Sequence, residues 1–327
     1  MSTLKVGLVG LGIMGKNHAR VLSKLEGVEL LGIVDPLGSA KNINSDHVFY
    51  ELNELLRKKP DYCVIAAPTG FHKDIALEIL SAGVNCLIEK PVALNLESAY
   101  QIQEVSSSNS RIVGIGHIER YNSGVRQLKS HIQNGELGDI YQVSSKRQGP
   151  YPSRVADVGV VRDLGTHDID LTMWLTNSTY ESVSAHTITR SQREFEDMAV
   201  ISGKLKNQVL VNMIVNWLSP FKERSLVVTG ELGAFVVDTL SSDLKFYKNG
   251  NHQVTQSTLM HFTGVSQGDV ITYAFDKPEP LVLEHENFRD FLMGKKAEIV
   301  TLEEGIETVK VSDGILESAK MRTDIKF

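Results

Sequence analysis

Lys5-Val6-Gly7-Leu8-Val9-Gly10-Leu11-Gly12-Ile13-Met14-Gly15 decides the fold of this chain, with Asp35 standing twenty residues beyond the last of these glycines. Lys5–Val9 reads as a short buried strand, Lys16–Lys24 as the helix that follows the glycines, and Val28–Val34 as the next strand. A lone G-x-G-x-x-G says little. Set between strand and helix, and followed by a second strand that ends on an acid, it is the pattern of a dinucleotide-binding turn. Gly10 permits the tight turn, Gly12 lets a pyrophosphate approach the backbone, and Gly15 lets helix and strand pack closely. Ile13 and Met14 belong to the same cofactor-binding turn, where the helix N-terminus offers free N–H groups and its positive dipole end to the phosphates. A glycine-rich turn with no ligand is the bland alternative.

Asp35 selects among dinucleotides. A carboxylate at the end of the second strand accepts hydrogen bonds from both hydroxyls of an adenosine ribose and repels a 2′-phosphate. No arginine follows it, since the next residues are Pro36, Leu37 and Gly38. The expected cofactor is therefore NAD rather than NADP. An acid that only caps the turn before Pro36 is the competing reading.

The 327 residues allow two domains, and 42% hydrophobic with 23% charged residues is the composition of a globular protein. A net charge of −6 gives no bulk positive field for nucleic acid or an anionic membrane, so neither is expected as a partner. The apolar run Val6–Met14 is interrupted by glycines and is explained as strand and turn, and no apolar stretch is long enough to span a bilayer. Cys63 and Cys86 sit in apolar runs without C-x-x-C spacing and read as two reduced core thiols. A cytoplasmic location is expected.

Residues 1–120 alternate strand and helix, with near-continuous apolar strands also at Tyr62–Ala66, Asn85–Glu89 and Arg111–Gly116. That is the signature of a doubly wound parallel sheet. Asn95 is placed as the N-cap of the helix from Leu96. The pattern changes after Tyr121: helices are expected at Gly124–His131 and His167–Trp174, then a run of more strictly alternating strands from Glu181 to Asp238, preceded by Ile140–Lys146. Pro280–Met293 and Leu302–Thr323 close the chain as helices. The expected architecture is α/β, a dinucleotide-binding domain over 1–120 and a second α/β domain over 121–327 with a mostly antiparallel sheet.

Three polar groups stand at or just after strand ends, where ligands of open parallel sheets bind, and a fourth lies in the second domain. They are Ala67-Pro68-Thr69 with His72, Glu89-Lys90-Pro91, His117 with Tyr121, and Asp163-Leu164-Gly165-Thr166-His167-Asp168-Ile169-Asp170. Asp163 and His167 are four residues apart, so a helical segment puts both on one face. A carboxylate there fixes the imidazole tautomer and raises its basicity, which suits removal of a proton from an alcohol. Lys90 would stabilise developing alkoxide charge. Each residue alone has an ordinary reading: a solvated lysine, or a core or capping histidine.

The GLGIMG turn, AAPTGFH, EKP and D-x-x-x-H-D-I-D together resemble the Gfo/Idh/MocA oxidoreductases, a likeness that runs through nearly the whole chain. The resemblance implies a Rossmann domain followed by an α/β domain with a large open sheet used for dimer or tetramer formation. It also implies bound NAD(P), no metal, and sugar or polyol substrates. Lys90 is similar to the family's active-site lysine, and Asp163 and His167 to its acid–histidine pair; a cis Lys90–Pro91 bond is expected. Thr69, His72 and Glu89 are expected to line the path to the nicotinamide, with Ala67 and Pro68 beside the cofactor. GHIERYN at Gly116–Asn122 and the Arg147–Val161 stretch resemble a subgroup that oxidises UDP-N-acetylglucosamine at its 3-hydroxyl. On that reading Arg147 and Arg154 meet a diphosphate, Tyr151 stacks on a ring, and His117 and Tyr121 join the substrate site. Loop-holding ion pairs are the alternative for the arginines. An inositol or free-aldose dehydrogenase, a glycosidase of this fold that oxidises transiently with held NAD, and a dinucleotide-sensing regulatory protein without chemistry are the other readings.

Overall fold

The computed structural model describes residues 3–35, 48–152, 155, 157–250 and 267–327. They form two compact units: Met1–Ile118 with Glu279–Asp313, and Glu119–Pro278 with Gly314–Phe327.

In the first unit, β1 (Leu4–Val9), β2 (Val28–Val34), β3 (Val48–Phe49), β4 (Tyr62–Ile65), β5 (Asn85–Glu89) and β6 (Val113–Gly116) lie in the order β3-β2-β1-β4-β5-β6. All their pairings are parallel. The order reverses between β1 and β4, the switch point where such sheets bind ligands. Alternate side chains feed two cores. Val9, Cys63, Ile65, Cys86, Ile88 and Ile115 serve one face, and Val6, Leu8, Ile33, Val64 and Leu87 the other. Burial on both faces is why these strands read as continuous apolar runs. Cys63 and Cys86 are free thiols side by side in the β4–β5 register, and burial pushes the Cys63 thiol up to about 12.

Helices α1 (Ile13–Leu22), α2 (Leu52–Leu56), α3 (His72–Ser81) and α4 (Leu96–Ser108) connect the strands. Asn95 caps α4 as expected, its side chain accepting from the Ser98 N–H at 2.9 Å.

Helix α7 (Pro280–Leu292) and the stretch after it belong to this unit, although sequence continuity assigned them to the second domain. The reason is apolar. Phe288 joins the core around Tyr62, while Val300, Leu302, Ile306 and Val309 fill the opposite core, and the Ile115 N–H donates to the Val300 carbonyl at 2.9 Å.

The second unit is built on a sheet ordered β14-β13-β12-β11-β7-β10-β9-β8-β15. The strands are β7 (Ile140–Pro150), β8 (Tyr180–Ile188), β9 (Met198–Leu205), β10 (Leu210–Asn216), β11 (Leu218–Gly230), β12 (Gly233–Asp238), β13 (Asp243–Asn249), β14 (Gln267–Tyr273) and β15 (Ile325–Lys326). Only β7 and β10 pair in parallel; the other pairings are antiparallel. Val211, Met213 and Val215 of β10 point inward, whereas Tyr141, Val200 and Leu210 are exposed. Helices α5 (Ser123–Gln133) and α6 (Thr166–Thr176) belong to this unit, and α8 (Leu302–Met321) begins in the first unit and ends in the second.

Strands β3, β13, β14 and β15 have no counterpart in the sequence expectation. β3 and β15 are two residues long, and β13 hides its inward Leu244 and Phe246 among charged neighbours. Among the described residues no helix is long and apolar enough to cross a membrane.

Candidate active site

The first unit carries a turn shaped for a dinucleotide. Gly10 has φ +94°, and a Cβ there would stand 2.6 Å from the Ala66 carbonyl oxygen. A Cβ at Gly15 would stand 2.1 Å from the Gly10 oxygen. Those two glycines are required by the protein itself. Gly12 is different: a Cβ there would meet nothing within 4 Å. It opens on free space at the N-cap of α1, a helix with no side-chain cap and no acid in its first turn. The geometry fits a pyrophosphate received by backbone N–H groups. Ile13, which is exposed, and Met14 follow in the first turn. Asp35 follows the last residue of β2, buried, its N–H donating to the Phe49 carbonyl at 3.1 Å.

Beyond β4, Ala67 and exposed Pro68 lead into a 3-10 turn at Thr69–Phe71 that buries Thr69. His72 opens α3 and is buried. Its Nδ1 lies 2.9 Å from the Pro91 carbonyl and its Nε2 2.9 Å from the Ala67 carbonyl. The ring therefore ties the Ala67 loop to the Lys90–Pro91 loop. It is a brace under the expected cofactor path.

Glu89 ends β5, half-buried Lys90 follows it, and the Lys90–Pro91 bond is cis. Glu89 Oε1 lies 2.9 Å from His18 Nε2, and Oε2 accepts the Lys90 backbone N–H at 3.1 Å. Burial alone would raise the Glu89 carboxyl, but the His18 hydrogen bond and the charges of His18 and Lys90 hold it below the ordinary carboxylate value. His117, just past β6, is buried in this unit.

In the second unit Asp163 lies in a single π-helical turn, Val161–Gly165, that runs directly into α6. His167 is the second residue of α6 and is half-buried; Asp163 is buried. The segment is helical throughout, as the four-residue spacing required, but its first turn is widened. Such π turns recur at functional sites because they re-aim side chains without ending the helix.

The two aspartates after His167 are held by arginines. Arg120 makes a fork onto Asp170, with Nε 2.9 Å from Oδ2 and Nη2 2.6 Å from Oδ1. Arg147 contacts Asp168 Oδ1 at 3.0 Å and Glu119 Oε1 at 2.7 Å. Burial works against the Arg147 charge, yet these two carboxylates more than offset it and raise its pKa. Burial raises Asp168, and Arg147 draws it back down. Among the described residues no cluster of three or more His, Cys, Asp or Glu is arranged to hold a metal ion.

Two expectations for the substrate side meet different partners. Arg147, expected on a diphosphate, spends its guanidinium on Glu119 and Asp168. Tyr151, expected to stack on a substrate ring, has the Arg193 guanidinium 3.8 Å over its ring and its hydroxyl on the Val155 carbonyl. Tyr121 is buried at the end of a 3-10 turn, Ile118–Tyr121. Arg154 lies outside the described residues.

Sequence reasoning missed four residues. His18, Glu284 and His285 surround Glu89 in the first unit. Arg224 of β11, half-buried, donates through Nη1 to the Gln148 and Glu223 carbonyls and makes no ion pair among the described residues. Burial and then Arg147 lower its pKa, while Asp168, Glu119 and Asp163 act the other way, so it belongs to the electrostatic surroundings of Asp163. An arginine inside an alternating strand carries no motif that would have marked it.

The sheet order, the glycine turn and the acid after β2 define a dinucleotide-binding oxidoreductase fold. The chain belongs to the Gfo/Idh/MocA family: residues 4–117 match its "Oxidoreductase family, NAD-binding Rossmann fold" profile and residues 125–236 its "GFO/IDH/MocA C-terminal domain" profile. It is 28% identical over 254 residues to UDP-N-acetylglucosamine 3-dehydrogenase of Acidithiobacillus ferrooxidans, covering 76% of this chain and 79% of that protein. It is likewise 28% identical over 246 residues to inositol 2-dehydrogenase 2 of Saccharopolyspora erythraea, with 71% and 72% covered. The solved WlbA dehydrogenase of Bordetella pertussis, in complex with NADH and UDP-GlcNAcA, shares the fold at a TM-score of 0.83 and 22% identity, with 100% of this chain and 98% of that one covered. The relatives are sugar or polyol dehydrogenases, and the chain is an oxidoreductase of the kind that acts on CH–OH groups.

Proposed function

We propose that this chain oxidises a secondary hydroxyl of a sugar with NAD, the sugar being a nucleotide sugar such as UDP-N-acetylglucosamine and the position its 3-hydroxyl. The carrying observation is the Asp163–His167 pair on one continuous helical segment, in a chain whose other unit holds the glycine turn and Lys90. When bound, NAD supplies the hydride acceptor. Asp35 reads the adenosine ribose, and Gly12 leaves room for the pyrophosphate. His167 takes the hydroxyl proton, Asp163 holds its ring, and the Lys90 ammonium stabilises developing alkoxide charge.

The nucleotide-sugar assignment leans on the likeness to the UDP-N-acetylglucosamine enzyme and on Arg224, a cation without a carboxylate partner among the described residues. The engagement of Arg147 by Glu119 and Asp168 favours a second reading, an inositol or free-aldose dehydrogenase that needs no diphosphate site. We expect copies to associate through the sheet face that exposes Val200 and Leu210.

A screen for NADH fluorescence with UDP-N-acetylglucosamine, free aldoses and inositols decides between the readings. Stoichiometric NADH with the nucleotide sugar, lost by about a hundredfold or more in Lys90→Met with NAD affinity kept, is the expected outcome. Turnover on inositols alone replaces the first reading by the second. Turnover without net NADH replaces both by transient oxidation.

A further inference from the structure

Beside Lys90 the first unit buries four ionisable side chains, three of them joined by hydrogen bonds. His18 of α1 and His285 of α7 are both 0% exposed, Glu284 of α7 is 1% exposed and Glu89 of β5 is 8% exposed. His18 Nε2 lies 2.9 Å from Glu89 Oε1, and His18 Nδ1 lies 2.8 Å from His285 Nε2. The two rings meet edge to face, with centroids 5.0 Å apart and planes at 87°. Glu89 is pinned at its other oxygen by the Lys90 N–H at 3.1 Å. It is also walled in: a Cβ on Gly116 would stand 3.2 Å from Glu89 Cδ.

Apolar side chains would fill this volume at less desolvation cost, so stability is a weak reason for the cluster. Its charge pattern is more informative. Burial and the neighbouring Glu89 charge push Glu284 well above its ordinary value, and burial and then His18 push His285 well below its own. Burial thus disfavours the charged form of both. The negative charge of the cluster rests on Glu89, next to Lys90. With both ring nitrogens engaged, His18 cannot turn without losing a bond at each end.

We propose that His285 and His18 form a buried positioning chain that fixes the Glu89 carboxylate against Lys90 and so sets where the Lys90 ammonium stands. Neither histidine is a catalytic residue; both act through Glu89. The catalytic consequence rests on the role proposed for Lys90 above, whereas the effect on the Lys90 side chain does not.

Two measurements on the full chain test this. The first is the rate at which acetic anhydride labels Lys90, read by peptide mass spectrometry against the other lysines. The second is kcat and KM in the dehydrogenase assay. The variants are His18→Leu, which removes both bonds, His18→Gln, whose amide can still donate to Glu89, and His285→Leu. In His18→Leu we expect the relative labelling of Lys90 to change about threefold or more, and kcat to fall about tenfold with KM for NAD nearly unchanged, the size of coupling between touching groups. His18→Gln should recover most of both effects, and His285→Leu should show smaller changes in the same direction. Lys90 labelling at the wild-type rate in His18→Leu and His285→Leu overturns the proposal, whatever happens to melting temperature. If the wild type oxidises none of the sugars, the function falls while the labelling still decides the chain. If His18→Leu does not fold, His285→Leu decides it.

Discussion

Arg147 Nε donates to Asp168 Oδ1 at 3.0 Å, and both side chains are buried. Glu119 takes the far side of the same guanidinium. In the sequence Arg147 looked like a diphosphate ligand, and Asp168 was only one acid of the Asp163–Asp170 segment. In the fold they neutralise one another beneath the helix that presents His167. The pair fixes the start of α6 to β7, so its contribution to function runs through the orientation of that helix.

Arg147→Met should therefore destabilise the protein by about 3–5 kcal/mol, because it leaves buried Asp168 and half-buried Glu119 without their counter-charge. The double variant Arg147→Met with Asp168→Asn should regain a good part of the loss. Urea unfolding of the three proteins measures this. A stable Arg147→Met variant that has lost only substrate affinity would instead put the guanidinium on the ligand.

The glycine turn yields a contrast. Gly12→Ala meets no protein atom and keeps an ordinary backbone conformation, φ −65°, so it should unfold at the wild-type temperature. It should still weaken NAD by about tenfold or more, since the methyl occupies the approach to the pyrophosphate. Gly15→Ala drives a methyl to 2.1 Å from the Gly10 oxygen and should lose about 1–3 kcal/mol or fail to fold. Calorimetry with NAD titration separates the two. Equal loss of stability in both would mean that Gly12, too, serves only packing.

Asp35→Ala should cost NAD about tenfold in affinity, the worth of a charged hydrogen bond to the ribose, and narrow the preference against NADP. Dissociation constants for both cofactors are the measurement. An unchanged ratio would place recognition of the ribose on another residue.

The first unit was legible because its signals are local. A strand, three glycines, a helix and an acid within about thirty residues leave few alternatives, and each of β1, α1 and β2 stands where the sequence put it. The acid–histidine spacing was legible for the same reason, but not the π turn that carries Asp163, since nothing in Val161–Gly165 distinguishes it from an ordinary first turn. What failed was long-range pairing. His18 and His285 are separated by 267 positions, and a histidine in an amphipathic helix looks the same whether or not a second one faces it. Arg147 and Tyr151 were read as substrate contacts, a diphosphate ligand and a stacking ring, and in the fold they meet protein partners. Which group they stick to depends on Asp168 and Arg193, which only the folded sheet brings to them.

Glu284 gives a prediction with a definite sign. Burial and the Glu89 charge hold its carboxyl protonated well above its ordinary value of 4.5. Above that pH the unfolded chain releases the proton while the folded chain keeps it, so the folded state binds more protons and this residue makes stability fall as pH rises. His285 acts in another range: it stays neutral in the fold, below its ordinary 6.5, so its penalty appears as pH falls through that value. Glu284→Gln removes the first effect and leaves the second in place. The melting temperature of Glu284→Gln minus that of the wild type should therefore increase as pH rises above the ordinary value of 4.5. The amide also keeps the shape of the protonated acid, so the two proteins should be closest at the acidic end. A difference that stays flat across this range would mean that Glu284 ionises as readily in the folded protein as in the unfolded chain.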